Sequence, residues 1–94
     1  MKFKPQEGKA ILKAKKVLKF EKNEKGKNVP VTDGAGNHAY DLNEFYVEET
    51  GIDGVKKGKK VIVIIGGGVP VKEMETKTHV FLVIDSEDIY AQAI

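Results

Sequence analysis

The feature that most limits how this chain can fold is the segment from residue 20 to residue 40, FEKNEKGKNVPVTDGAGNHAY. It follows neither the two-residue period of a strand nor the 3.6-residue period of a helix. Loops longer than about 12 to 15 residues are uncommon inside a compact domain unless they are functional or disordered. Lysine, glutamate, asparagine and glycine dominate the segment, so it has little apolar surface to offset the entropy of becoming ordered. We therefore predict a mobile arm, and the core must come from the residues on either side.

A short apolar island interrupts the polar composition of this arm. Val29, Pro30 and Val31 stand together, and Thr32 and an Asp-Gly pair follow them. An apolar tripeptide in a flexible segment either anchors that segment to its own domain or binds another protein. The residues alone leave both interpretations open.

The length and composition predict one small domain, residues 1–94. A chain of 94 residues with 40% hydrophobic and 32% charged residues can build a single modest core. There is no cysteine, which excludes a disulfide framework and thiolate metal sites. The longest apolar run, residues 61–65, is too short to cross a bilayer, and the first residues lack the apolar segment of a signal peptide. We expect a cytoplasmic protein without membrane contact.

The net charge of +2 conceals an uneven distribution along the chain. Residues 1–28 hold ten lysines against three glutamates, and residues 29–94 hold six lysines against eleven acids. A basic leading segment is one pattern of nucleic-acid binding proteins, and Lys9, Lys13, Lys15 and Lys16 would be its contacts. All sixteen basic residues are lysine, however, whereas arginine is the usual side chain for reading guanine or clamping phosphate. A solvated strand face is the favoured interpretation.

The rest of the chain divides into short segments that favour strands. Residues 8–20 fit a strand or a helix, because alanine, leucine and lysine suit both patterns. Residues 60–65, KVIVII, are a continuous β-branched run and are expected to form the most buried strand. Pro70 cannot donate a ladder hydrogen bond, so its strand belongs at an edge. The remaining predicted elements are strands at 41–48, 69–74, 78–84 and 89–94, a glycine reversal at 66–68, and a one-turn corner at 85–89 that Asp85 or Ser86 would cap. Such spacing predicts a small antiparallel β-barrel or sandwich.

Residues that could carry catalysis are few. The only serine is Ser86, in the predicted corner, and the two histidines, His38 and His79, lie far apart in the sequence. The glycines at 51–58 and 66–68 complete neither a dinucleotide-binding nor a phosphate-binding motif. We therefore expect no enzyme activity, no cofactor and no metal.

The order of these segments resembles the co-chaperonin family, the GroES-like or chaperonin-10 proteins, over nearly the whole chain. The segments that carry the resemblance are KFKPQEGKAILKAKK at residues 2–16, GVKKGKKVIV at residues 54–63, and VFLVIDSEDIYAQAI at residues 80–94, of which DSEDIYA is the most specific. Lys59 departs from the family pattern, which has an acid there. The resemblance implies a small antiparallel GroES-like β-barrel in which residues 8–20 form a strand.

The resemblance also implies a function. Residues 21–37 would be the mobile loop, and Val29, Pro30, Val31 and Thr32 would bind the apical domains of a GroEL-like chaperonin. Several chains, seven by family precedent, would form a ring in which the last strand of one subunit pairs with the first strand of its neighbour. That ring would cap a folding chamber, and ATP would belong to the chaperonin. Val-Pro-Val is less bulky than the usual tripeptide, and residues 49–54 replace the roof hairpin, which resembles phage-type members and implies an open dome.

Overall fold

The computed structural model describes residues 3–32, 34–42, 44–64 and 67–94. In chain order, its strands are β1 (Lys9–Lys15), β2 (Val17–Leu18), β3 (Phe20–Lys22), β4 (Asn28–Pro30), β5 (Tyr40–Asp41), β6 (Phe45–Thr50), β7 (Lys60–Val63), β8 (Val69–Pro70), β9 (His79–Asp85) and β10 (Ile89–Gln92). Two short 3-10 turns, Lys72–Met74 and Ser86–Asp88, complete the described elements. The predicted all-β class is confirmed.

Six of the strands form one antiparallel sheet, which we call the body. Their order is β10-β7-β6-β1-β9-β8, so β8 and β10 are its two edges. No strand pair among the described residues closes this sheet into a barrel. Pro70 lies in the edge strand β8, as its missing N–H group predicts. Residues 51–59 connect β6 to β7 through turns, and this connection contains no additional strands.

Residues 9–15 form β1, so this part of the segment 8–20 is a strand and not a helix, but the single strand expected there is divided, because residues 17–18 and 20–22 belong to β2 and β3. The main core lies on one face of β1, and Ile11, of the other parity, is also buried. Ala10, Leu12 and Ala14 alternate along β1, and all three are buried. Ala10 and Leu12 pack with Val47, Val61 and Ile84, which belong to β6, β7 and β9. The apolar alternation of this segment is therefore the two-residue period of a strand.

The prediction that residues 60–65 form the most buried strand is wrong. Only Val61 of β7 is buried, and Ile62 is 62% exposed. The reason is position in the sheet: β7 lies next to the edge strand β10, whereas β1 lies between β6 and β9. A β-branched run indicates a strand, but its burial depends on its neighbours. Ile65 lies outside the described residues.

Two other element boundaries differ from the prediction. The strand expected at 41–48 is split, because Tyr40–Asp41 pairs with β2 while Phe45–Thr50 joins the body. The strand expected at 69–74 ends at Pro70, and a 3-10 turn follows at Lys72–Met74. The predicted corner near residue 86 is confirmed as the 3-10 turn Ser86–Asp88, but no side chain caps it.

The glycine reversal expected at 66–68 is only partly within the described residues. Gly66 lies outside them. Gly68 has a φ of 93°, a conformation that glycine adopts without the strain other residues would meet.

The described residues from 17 to 41 extend away from the body, and we call the segment 17–41 the arm. The chain measures 51 × 28 × 19 Å along its principal axes, with a radius of gyration of 15.3 Å. A compact domain of this length would have a radius of gyration of about 12 Å. The difference reflects the arm, which adds length without adding to the core.

Candidate partner-binding site

The arm contains hydrogen-bonded strands where the sequence shows no period. At its base β2 pairs with β5, so that Leu18 lies opposite Tyr40. Farther out β3 and β4 form a hairpin, with Phe20 opposite Pro30 and Glu21 opposite Val29. The expected mobile loop, residues 21–37, therefore contains local pairing within a chain segment that still lies outside the core.

Asn23 explains why the outer hairpin turns where it does. Its side-chain Oδ1 accepts hydrogen bonds from the backbone N–H groups of Lys25 and Lys27, each at 3.0 Å. Its own backbone N–H donates to the carbonyl of Lys27 at 3.0 Å. Gly26 supplies the positive φ, 76°, that the reversal needs. These short-range bonds form without a hydrophobic pattern, which is why periodicity does not reveal the hairpin.

Three backbone segments meet at the middle of the arm. The N–H of Val31 donates to the carbonyl of Lys19 at 2.8 Å, and the N–H of Ala39 donates to the carbonyl of Val31 at 2.8 Å. The N–H of Lys19 completes the ring by donating to the carbonyl of Ala39 at 3.0 Å. A second reversal then follows, with Thr32 bridged to His38. Val31 is thus fixed by its backbone rather than by burial of its side chain.

The predicted tripeptide lies in the arm and outside the core. Val29 and Val31 are half-buried, and Pro30 and Thr32 are exposed. None of the described residues from 17 to 41 is buried. The island therefore is not anchored in the interior of its own domain, and its side chains are accessible to another protein. Asp33, which follows it, lies outside the described residues.

Sequence reasoning missed four exposed apolar side chains that the structure places on the same arm. Val17 is 47% exposed, Leu18 is 39% exposed, Phe20 is 53% exposed and Tyr40 is 42% exposed. Part of the signal was present, because Leu18 and Phe20 flank Lys19 where the unpatterned segment begins. Their partners on the opposite strand, Tyr40 and Pro30, could not be identified without the register.

The arm joins the body at Lys16, between β1 and β2. The Lys16 Nζ lies 3.1 Å from Oε2 of Glu75, and the Lys16 side chain is only 11% exposed. The same Nζ lies 5.3 Å from the centre of the Tyr40 ring, within the range of a cation–π contact. The Lys16 backbone N–H donates to the carbonyl of Thr78 at 2.8 Å. This residue therefore links the base of the arm to the body.

The four lysines of the nucleic-acid alternative do not form one free basic surface. Lys9 pairs with Asp85, and Lys16 pairs with Glu75. Lys13 and Lys15 line a groove that also contains two carboxylates, those of Glu44 and Glu48, together with Tyr46 and His79. Nothing in this arrangement favours binding of a polyanion.

The histidines lie apart, His38 on the arm and His79 at the start of β9, where its Nδ1 is 2.8 Å from Thr78 Oγ1. Among the described residues, no group of three or more histidines, aspartates or glutamates is arranged to hold a metal ion. Within the same residues, no helix has the length and apolar character that a membrane span requires.

No protein-family model, curated protein or solved structure matches the chain. The resemblance to co-chaperonins therefore rests on the quoted sequence segments.

Proposed function

We propose that this protein is a co-chaperonin, which assembles into a ring and caps an ATP-dependent chaperonin of the GroEL-like type. The observation that carries the proposal is the arm: residues 17–41 extend from a β body, none of those described is buried, and they hold an apolar tripeptide. Apolar side chains that the core does not use are suited to binding a partner.

The free energy of binding expected for one arm is small, as a lid that has to be released requires. Burying an aliphatic side chain contributes about 1.5 to 3 kcal/mol, and ordering the arm opposes this gain. The hydrogen bonds of the arm lower the ordering cost but leave each contact weak. A ring of tethered arms raises the overall affinity by about 10² to 10⁴, because later contacts form within one complex. Loss of a few contacts therefore releases the lid.

The edge strand β10 supports self-association. Among the described strands it pairs with β7 alone, and its Tyr90 is 64% exposed. An unpaired edge of this kind can add a strand from another chain. The first strand β1 cannot accept such a strand, because β6 and β9 occupy both of its edges. We therefore propose that pairing between subunits joins β10 to a segment other than β1.

Mass in solution tests the ring. Sedimentation at micromolar concentration is expected to give a multiple of the 10.4 kDa chain mass, with seven copies as the family precedent. A chain that stays a monomer would overturn the ring, and with it the avidity on which capture depends.

Capture by a purified GroEL-like chaperonin, with and without ATP, tests the partner. Replacing Val29 and Val31 together with serine should abolish capture and leave the mass of the assembly unchanged. The matched control is Val69→Ser, which changes a valine that is 68% exposed on the body. Unchanged capture by the double variant would show that the tripeptide does not bind the chaperonin.

A further inference from the structure

We propose that four side chains of the arm form a second binding surface, which fits an apolar protein surface rimmed by carboxylates. These residues, which we call the apolar stripe, are Leu18, Phe20, Pro30 and Tyr40. The inference rests on the proposed function, because it identifies a further part of the arm that contacts the same partner. It shares Pro30 with the tripeptide prediction and adds Leu18, Phe20 and Tyr40.

The pair Phe20 and Pro30 forms the centre of the stripe. Hydrogen bonds bracket this pair in the hairpin, from Val31 N–H to Lys19 carbonyl on one side and from Asn23 N–H to Lys27 carbonyl on the other. Because hydrogen-bonded and non-hydrogen-bonded pairs alternate in an antiparallel ladder, Phe20 and Pro30 are a non-hydrogen-bonded pair. Side chains approach most closely in such pairs, so the ring and the proline form one apolar unit.

Leu18 and Tyr40 continue the same face toward the body. They lie opposite each other, and Leu18 is two residues before Phe20, the spacing of side chains that share one side of an extended segment, with Lys19 joining β2 to β3 between them. The valines of the tripeptide have the other parity, since Val29 lies opposite Glu21. The arm therefore presents apolar side chains on both faces, and the stripe holds the larger ones.

Pro30 also indicates how a partner would bind. In a non-hydrogen-bonded pair the N–H direction points to the outer edge of the hairpin, and proline has no hydrogen there. Addition of a partner strand along β4 would lack that hydrogen bond. The β4 edge is therefore poorly suited to extension of the hairpin into a larger sheet, and the stripe is suited to side-chain contact with an apolar surface.

The lysines of the arm indicate which charge the partner surface carries around its apolar area. Three body lysines, Lys9, Lys57 and Lys60, each pair with a carboxylate, but most of the other described body lysines form no ion pair with another described residue. The four lysines between residues 19 and 27 also form no such ion pair, and they differ from the body lysines in their position beside the exposed apolar side chains of the arm; they are Lys19, Lys22, Lys25 and Lys27. Lys22 shares the face of Phe20, because it is two residues farther along β3. Unpaired cations beside exposed apolar groups complement carboxylates beside an apolar partner surface.

A synthetic peptide probes this chemistry without a chaperonin. The probe is an amphipathic helix with a leucine face flanked by glutamates, and its counterpart has lysines in place of those glutamates. We expect the full-length protein to bind the glutamate peptide at least tenfold more tightly in fluorescence anisotropy. Raising the salt from about 0.1 M to 1 M should remove most of that preference, because it shortens the Debye length from about 10 Å to 3 Å.

Two variants on opposite faces of the arm locate the contact. Phe20→Ser should weaken binding of the glutamate peptide at least tenfold. Val17→Ser is the matched control, since Val17 is 47% exposed on the same arm but lies opposite Asp41, on the other parity. The control should change binding less than twofold. Equal losses in the two variants would overturn the assignment of the contact to the stripe.

The lysines beside the stripe have their own control. Replacing Lys22, Lys25 and Lys27 with glutamine should abolish the preference for the glutamate peptide. The same triple substitution at exposed body lysines should preserve the preference for the glutamate peptide; these lysines are Lys56, Lys72 and Lys77. If the preference for the glutamate peptide depends on the body lysines instead, the proposed role of the arm lysines is overturned.

The outcomes for the stripe and for the chaperonin are distinguishable. If the chaperonin does not capture the chain but the glutamate peptide binds through Phe20, the stripe stands and the proposed function fails. If the chaperonin captures the chain and Phe20→Ser has no effect on capture or on the peptide, the stripe fails and the function stands. Failure of the wild-type chain to bind either peptide, or concentration-dependent pairing of two chains that Phe20→Ser abolishes, would also overturn the proposed partner.

Discussion

The body and the arm are built from the same kinds of residue and held together in different ways. In the body, Leu12 is fully buried and the surrounding strands share one core. In the arm, no described residue is buried, and backbone hydrogen bonds and a turn at Asn23 maintain the pairing. Burial supplies most of the free energy of folding in small proteins, so we expect the arm to open at much lower cost than the body.

This difference explains how one chain can combine a stable scaffold with accessible apolar groups. Core packing spreads the effect of a change in the body over the whole sheet, whereas changes in the arm are confined to local bonds. The following variants compare matched residues in the two regions.

The largest expected difference is between two leucines. Leu12→Ala removes a fully buried side chain from the core and should lower the free energy of unfolding by about 2 to 5 kcal/mol. Leu18→Ala changes a side chain that is 39% exposed on the arm, and its cost should be about 1 kcal/mol or less. Urea unfolding measures both, with an unchanged slope confirming that the compared states are the same. Equal costs would mean that the arm belongs to the cooperative core.

A second pair compares glycines. Gly51 donates its N–H to the Lys9 carbonyl at 2.8 Å and accepts from Gly8 N–H at 2.9 Å, and an added Cβ would collide with the carbonyl oxygen of Gln6. Gly51→Ala should therefore destabilise the body by about 1 to 3 kcal/mol.

The matched change in the arm is Gly34→Ala, where a Cβ would have no heavy atom within 4 Å. Its effect on the free energy of unfolding should stay within about 0.5 kcal/mol. Thermal unfolding of both variants provides the comparison. If Gly51→Ala leaves the stability unchanged, the segment before β1 can move away from β6 at little cost in free energy.

The sequence predicts the body better than the arm because its strands carry a pattern that burial requires. The alternation of Ala10, Leu12 and Ala14 is sufficient to predict the inner face of β1, and Pro70 predicts an edge. The order of strands in the sheet depends on contacts far apart in the sequence. Ile62 illustrates the limit, because its residue type predicts burial and its place beside an edge strand leaves it exposed.

The binding surface of the arm was only partly predictable for a related reason. The tripeptide is contiguous, so composition is enough to find Val29 to Val31. The apolar stripe joins Phe20 to Pro30 and Leu18 to Tyr40 across strand pairs, and its register depends on a turn fixed by Asn23. Such a surface becomes visible only when the pairing is known.

Lys16, which links the arm to the body, provides a test with a smaller expected effect. Lys16→Met keeps the aliphatic stem but removes the charge that contacts Glu75 and the Tyr40 ring. Hydrogen exchange of the Lys19 and Ala39 amides should become faster, while the β1 amides keep their protection. A double-mutant cycle with Glu75→Gln should give a coupling of about 0.2 to 1 kcal/mol.

The matched control for this link is Lys60→Met, which removes an ion pair with Glu44 inside the body. It should leave exchange in the arm unchanged. Faster exchange at Lys19 and Ala39 in this control would mean that the body as a whole, and not Lys16, sets the stability of the arm.

The smallest expected effect concerns Lys57, whose pairing with a carboxylate distinguishes it from the unpaired arm lysines. The hydrogen bond from its Nζ to Glu49 at 3.0 Å, together with the attraction of that carboxylate, raises the pKa of Lys57 above its ordinary value of 10.5. A raised pKa in the folded state means that the contribution to stability is complete below pH 10.5 and is lost as the pH rises through the higher value. Because the side chains of Lys57 and Glu49 are 65% and 40% exposed, solvent screens the pair and the change in stability should be slight.

An NMR titration of the Lys57 side chain detects the pairing directly. Glu49→Gln should lower its titration midpoint toward 10.5, because it removes the attracting charge. Glu44→Gln, which changes the carboxylate paired with Lys60 instead, should leave the Lys57 midpoint where it is. If Glu49→Gln has no effect on the midpoint, the Lys57 pair does not form in solution. The contrast between Lys57 and the unpaired arm lysines would then be lost.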